Sequence, residues 1–361
     1  LCWIKTRRSR RVNIGSKIEE AWQVAQESEE LDVPGAPTRE LGEPPAFMSP
    51  EAAKRCLDSR LGRLHARQRI GIETDHESQV FGQGLTFLHI ENLPWSHALI
   101  EMILRLTGTY WRGRANAAKV ELRENIVASH KIPPAFDGFA ILHLSDLHVE
   151  LSEAAMRRVT EIVSDLPYDL CVMTGDYRAK TFGSSDACLR GLYRLRQALH
   201  GDVFAVLGNH DTVLLVPDLE RMGIRMLLNE HVAIERGGAR IYLAGVDDAH
   251  FFRVDNLEAA ADEIPPESYS ILLSHTPEIY RQAAHAGVDL MLAGHTHGGQ
   301  ICLPGGAPVT IDAHMPRRLA RGAWRYGDMD GYTSVGAGAS IVPVRFNCPP
   351  EVTLHRLKSL S

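Results

Sequence analysis

Closely spaced cysteines are missing from this chain. Its six, Cys2, Cys56, Cys171, Cys188, Cys302 and Cys348, are scattered, with no Cys-x-x-Cys pair. That excludes a zinc knuckle and a disulfide framework, and a chain of this length needs no bridges to hold a core. Reduced, mostly buried thiols are expected. No run of 18 or more apolar residues exists either, so no transmembrane helix is expected. Positive charge is not in excess: 39 Lys and Arg stand against 45 Asp and Glu, a net −6. Nucleic acid is therefore not expected as the main partner. The basic opening "LCWIKTRRSRRVNIGSK" has no apolar stretch behind it and does not read as an export signal. The expected location is cytoplasmic, at most peripheral at the inner membrane.

What is present divides the 361 residues into three textures. Residues 1–85 are polar, with the Pro/Gly-rich "DVPGAPTRELGEPP" from Asp32 to Pro45, and read as an extension, partly disordered or loosely helical. Residues 86–118 hold an amphipathic helical segment. Leu99, Met102, Ile103 and Leu106 follow helical spacing, Ile100 and Leu104 widen that face, and Trp95 and Trp111 bracket it. Two readings stay open for residues 95–114: peripheral membrane contact, or packing on the main domain or a second subunit.

From residue 119 to 361 the pattern becomes α/β. Apolar runs "FAILHLSD", "DLCVMTGD", "DVFAVLGNHD", "ARIYLAGVDD", "SYSILLSH" and "VDLMLAGHTH" alternate with helical stretches. Near-continuous apolar strands imply sheets covered by helices. The runs end in polar loops carrying Asp146 and His148, Asp176, Asn209 and His210, His275, then His295 and His297. Ligands of open α/β sheets gather outside the carboxyl ends of strands, so these loops are expected to converge on one cleft. Each alone reads as a turn. Independent turns have no reason to supply nitrogen and oxygen ligands from successive strand ends. Imidazole and carboxylate suit manganese, iron or zinc. Two such ions can clamp a phosphoryl group and activate a bridging hydroxide for in-line attack, with Asp176 the natural bridging carboxylate.

The ordered set "DLH", "GD", "GNHD", "SH" and "GHTH" resembles the calcineurin-like metallophosphoesterases. Within them, "GHTHGGQICLP" and "VRFNCPPEVTLHRL" are similar to a YkuE-like bacterial subgroup, related to diphosphatases of UDP-2,3-diacylglucosamine. The resemblance implies a two-sheet β-sandwich flanked by helices (αββα) over residues 119–361. It implies two divalent metal ions, manganese first, with iron, zinc or nickel as other candidates. Asp146, His148 and His297 would hold one; Asn209, His275 and His295 would hold the other; Asp176 would bridge them. His210 resembles the histidine that protonates or stabilises the leaving oxygen, with Asp211 orienting it from behind.

The implied activity is hydrolysis of a phosphodiester or pyrophosphate bond, on a phosphoester or lipid-linked diphosphate substrate. The alternatives are a phosphomonoesterase or protein phosphatase of the same superfamily. A non-catalytic scaffold is disfavoured because His210 and every ligand are present. Arg178, two residues after Asp176, is placed to meet a phosphate oxygen, as Asn209 is; a solvated loop arginine is the plain alternative. Asp247 and Asp248 line the cleft or simply cap a turn. "MPRRLARGAWRYG", with Arg317, Arg318, Arg321, Trp324, Arg325 and Tyr326, is read as an anion-receiving segment or as a solvated insertion.

Overall fold

In the strand Ala140–Leu144 every residue is buried, so neither of its faces meets water. The computed structural model, which describes residues 44–82 and 94–360, shows why. Ile141, Val172 and Phe204 meet Leu243, Ile271 and Leu292 of a second sheet. Their neighbours Leu142, Cys171 and Ala205 point the other way, onto Val159, Val163, Leu189 and Leu192. Those four lie on helices Glu153–Asp165 and Asp186–Ala198. Period-two alternation thus serves two apolar layers at once.

The first sheet runs β1 (Glu121–Ser129), β12 (Glu351–Ser359), β2 (Ala140–Leu144), β3 (Leu170–Met173), β4 (Val203–Ala205), β5 (Ile224–Met226). The second runs β10 (Gly322–Tyr326), β11 (Met329–Thr333), β9 (Leu290–Ala293), β8 (Ser270–Leu273), β7 (Ala239–Gly245), β6 (Glu230–Arg236). β2 to β5 are parallel, as are β7, β8, β9 and β11. On the outer face of the second sheet, Leu272 and Met291 pack against Tyr280 and Ala283 of helix Tyr280–His285. The result is the α/β sandwich, helix–sheet–sheet–helix, and it sends five parallel strand ends to one edge.

The polar stretch before residue 85 contains two helices, Pro50–Leu61 and Arg63–Gly82. Leu57 and Ala66 join the core under the first sheet. Residues 1–43 and 83–93, where other expectations for the extension fall, lie outside the described residues. The anchor of the second helix is polar, which hides it from an apolar-periodicity reading. Arg69 is 1% exposed and donates from Nε to Asp247 (2.8 Å) and from Nη1 to Glu73 (2.6 Å). Its guanidinium also lies 4.3 Å from the centre of the Phe252 ring. Replacing Arg69 with alanine leaves two buried carboxylates without their cation, and about 3–5 kcal/mol of stability should be lost. Urea unfolding measures this; a loss under about 1 kcal/mol would mean the helix is not energetically part of the domain.

The amphipathic segment forms helices Pro94–Leu106 and Tyr110–Ala117. Its apolar face is divided. Ile100, Leu104 and Tyr110 pack on Val342, Val344 and Phe346, while Met102, Ile103, Leu106 and Trp111 are exposed, Leu106 by 79%. No helix among the described residues is long and apolar enough to cross a membrane. Cys171, Cys188, Cys302 and Cys348 are buried free thiols, and Cys56 is half-buried.

Candidate metal centre

Strand ends from both sheets build the site. β2, β3 and β4 lead to Asp146, Asp176 and Asn209; β8 and β9 lead to His275 and His295. Just past the ends of β2, β3 and β9 the backbone kinks sharply. Of ten non-glycine residues at positive φ among the described residues, five are Asp146, His148, Asp176, His295 and His297. Left-handed geometry at non-glycine residues carries strain, and such strain gathers at functional sites. Neighbouring glycines give the kinks room. A Cβ on Gly294 would collide with Ser145 Oγ and the Asp146 carboxylate.

Two groups of candidate ligand atoms result, each within 4.8 Å: Asp146, His148, Asp176 and His297; and Asp176, His275 and His295. Asp176 belongs to both. His297 Nε2 lies 3.5 Å from Asp146 Oδ1 and 3.2 Å from His148 Nε2. His275 Nε2 lies 3.3 Å from Asp176 Oδ2 and 2.8 Å from Asn209 Oδ1. All these side chains are buried.

The imidazoles are held from behind. His148 Nδ1 donates to the Arg178 carbonyl (2.6 Å), His275 Nδ1 to the Thr174 carbonyl (2.7 Å), and His295 Nε2 to the Asp312 carbonyl (2.7 Å). A carbonyl only accepts, so in each ring the remote nitrogen carries the proton. When the ring is neutral, the nitrogen facing the cluster is then free to coordinate, as metal-binding histidines require. Burial lowers His148 to about 4, and burial with His148 and Arg345 nearby holds His297 well below its ordinary value. Both are therefore neutral at pH 7. Burial pushes the Asp176 carboxyl up, but His275, His210 and His148 outweigh it and keep it well below the usual range. Burial opposes charge on His275 too, yet Asp176 beside it raises it to about 10. An ion at His275 would displace the proton that Asp176 holds there, and nitrogen and oxygen donors with no thiolate among them fit divalent ions of the manganese, iron and zinc kind.

His210 stands beside the cluster, its Nε2 3.9 Å from Asp176 Oδ2 and its amide N–H donating to Asp176 Oδ1 (2.9 Å). The group at its Nδ1 is Thr181 Oγ1, at 3.0 Å. Asp211 was expected in that place. Its carboxylate instead accepts backbone N–H bonds from Asp176 (2.7 Å), Gly208 (2.9 Å), Tyr177 (3.0 Å) and Arg178 (3.2 Å). It braces the loop that presents Asp176, because four converging amides outcompete one imidazole. Arg178 also differs from expectation. Its guanidinium turns into its own loop, donating to the carbonyls of Thr181 (2.9 Å) and Gly183 (2.7 Å). What Arg178 brings to the site is its own carbonyl, on His148.

Asp248 caps a turn, accepting from the amides of His250, Phe251 and Phe252, and Asp247 pairs with Arg69. Trp324 is a core residue, its Nε1 donating to Thr333, so the arginine-rich segment keeps less exposed aromatic surface than its composition suggests. Thr181 and Arg345 were not legible as site residues. Arg345 is fully buried, with Nη2 3.2 Å from His297 Nδ1 and 2.6 Å from the carbonyls of Val335 and Gly338. Its only sequence signal was its place in "VRFNCPPE".

Facing sheets whose strand ends gather buried imidazoles and carboxylates define a metal-dependent hydrolase of phosphate esters. The profile of the calcineurin-like phosphoesterases matches residues 139–299. The metallophosphoesterase YkoQ of Bacillus subtilis is 30% identical over 254 residues, covering 68% of this chain and 90% of the relative. YkuE of the same organism is 30% identical over 250 residues, covering 66% and 86%. The phosphodiesterase YaeI of Escherichia coli is 30% identical over 240 residues, covering 61% and 82%. The chain belongs to the calcineurin-like metallophosphoesterases, in their YkuE-like subgroup.

Proposed function

We propose that this enzyme hydrolyses a phosphodiester or pyrophosphate bond with two divalent ions, manganese first among them. Asp146, His148 and His297 hold one ion, Asn209, His275 and His295 the other, and Asp176 is shared. The observation that carries the reading is the set of three imidazoles locked by backbone carbonyls around one shared carboxylate. Bound there, the ions supply charge that polarises the phosphoryl group and a nucleophile available at neutral pH. The chain's own residues do the rest. Asn209 presents its amide at the cluster's edge, and His210, steadied by Thr181, delivers a proton from Nε2 to the leaving oxygen. Asp211 keeps the Asp176 loop in register through the amides of Asp176, Tyr177 and Arg178.

A substrate at a membrane surface, of the lipid-linked diphosphate class, is favoured by one feature. Exposed Met102, Ile103, Leu106 and Trp111 lie beside Arg105 on helices that pack against the 340–346 loop, and Gln300, three residues beyond His297, bonds the carbonyls of Ser340 and Val342. Such a face suits the inner leaflet of a membrane.

The test is to strip the protein with a chelator, reload it with Mn, Zn, Fe or Ni, and assay a diester, a soluble nucleotide diphosphate and a diacyl lipid-linked diphosphate in vesicles. Turnover restored by metal, highest on the vesicle substrate, is expected. No turnover with any ion defeats the enzyme mechanism; turnover of the soluble substrates alone defeats the membrane reading.

A further inference from the structure

Behind Asp146, a file of buried polar side chains crosses the first sheet. Ser145 Oγ donates to Asp146 Oδ2 at 2.6 Å, and Thr174 Oγ1 donates to Ser145 Oγ at 2.7 Å. Thr174 Oγ1 is 2.8 Å from His143 Nε2; His143 Nδ1 is 3.3 Å from His355 Nε2; His355 Nδ1 is 3.0 Å from Asn125 Nδ2. Ser145, Thr174, His143 and His355 are all 0% exposed, and Asn125 lies half-buried at the outer end on β1. The file therefore spans β1, β12 and β2 and the end of β3 before it reaches the cluster.

Proton bookkeeping permits one orientation. A carboxylate only accepts, so the single Ser145 proton goes to Asp146, and Ser145 must accept from Thr174. The Thr174 proton is thereby used, so Thr174 must accept from His143 Nε2–H. A neutral His143 then has its lone pair on Nδ1 and receives Nε2–H from His355. His355 in turn accepts at Nδ1 from the Asn125 amide. Burial keeps both rings neutral, lowering His143 to about 3 and His355 well below its ordinary value. All five links point the same way, toward Asp146, and chains of aligned hydrogen bonds polarise one another.

An apolar sheet interior has no need of two adjoining histidines. Leucine at both positions would fill the layer without any polar group to satisfy. We propose that His143 and His355 are positioning residues: they fix the Ser145 hydroxyl as a donor to Asp146 and so set the affinity of the first metal position. The proposal rests on the two-metal reading above. Without the relay the Ser145 and Thr174 hydroxyls can turn, and Asp146 loses a defined orientation, the kind of outer support whose loss weakens metal binding about 10–100-fold.

The experiment titrates chelator-stripped protein with zinc(II) against a chromophoric chelator, resolving two binding constants. In His143→Leu one of the two constants, that of the ion held with Asp146, should fall about 10–100-fold and the other should stay unchanged. Ser145→Ala should show the same loss, and the double variant S145A/H143L no further loss, because both cut one relay. His143→Gln, which keeps a side-chain N–H, should recover part of the affinity. His355→Leu, one link further out, serves if His143→Leu does not fold. Additive losses, or equal weakening of both constants, would reveal general packing damage and overturn the relay, as would unchanged constants. If the wild type itself binds fewer than two ions, the two-metal reading fails instead.

Discussion

Asp176→Asn should lose both metal retention and turnover. The substitution is isosteric, so it removes the charge shared by the two ligand groups without opening a cavity. Asp176 Oδ2 lies 3.3 Å from His275 Nε2 and 3.8 Å from His148 Nε2, one from each group. An amide there presents either a neutral oxygen or an N–H to a cation, and both ion positions lose their common anion. We expect kcat/KM on bis-p-nitrophenyl phosphate to fall by at least about 10³-fold. Metal content measured by elemental analysis should fall below one ion per chain. Normal metal content with normal rate would show that the carboxylate is not shared.

The second large effect separates the leaving-group step from metal holding. His210→Gln leaves every proposed ligand in place, so two ions should remain bound. What disappears is the proton at Nε2, and kcat should fall about 10²–10⁴-fold on substrates with alkoxide leaving groups. p-Nitrophenolate departs without a proton, so the same variant should lose much less on a nitrophenyl diester. Thr181→Val, which removes the hydroxyl at His210 Nδ1 (3.0 Å), should follow the same leaving-group pattern with a smaller loss. A uniform loss on both substrate types would assign His210 to binding rather than to proton delivery.

Much of this site was legible because strands impose a simple rule on a sequence. An apolar run that must bury both faces leaves polar groups only at its end, so Asp146, Asp176, Asn209, His275 and His295 announced themselves by position. Strand alternation is not what brings His295 and His297 together. Alternation along an extended segment would aim both rings alike. The backbone there is kinked, with His295 and His297 at φ 70° and 50° and Thr296 between them helical, its hydroxyl bonded to the Ala320 carbonyl. Both rings still reach the cluster, one in each of the two groups that share Asp176.

The features that escaped are those whose partners are distant in sequence or are backbone atoms. Arg69 reads as one more charge in a polar stretch until Asp247, 178 positions away, is brought to it. Asp211 sits next to His210 in the chain, yet its oxygens face the amides of another strand's loop. Arg178 reads as a free cation because carbonyls leave no trace in side-chain composition. His143 and His355 read as ordinary strand residues, since 212 positions separate them.

The sequence by itself determined the α/β class, the order of the six apolar strands β2, β3, β4, β7, β8 and β9, and which chemical groups stand at their ends. Those follow from local periodicity and side-chain identity. Only the tertiary structure decided that two sheets contribute to one cluster, which nitrogen of His148, His275 and His295 carries the proton turned away from it, and which residues brace the ligands. Those depend on long-range strand pairing and on hydrogen bonds to backbone carbonyls and amides, which every residue carries and no residue type reveals.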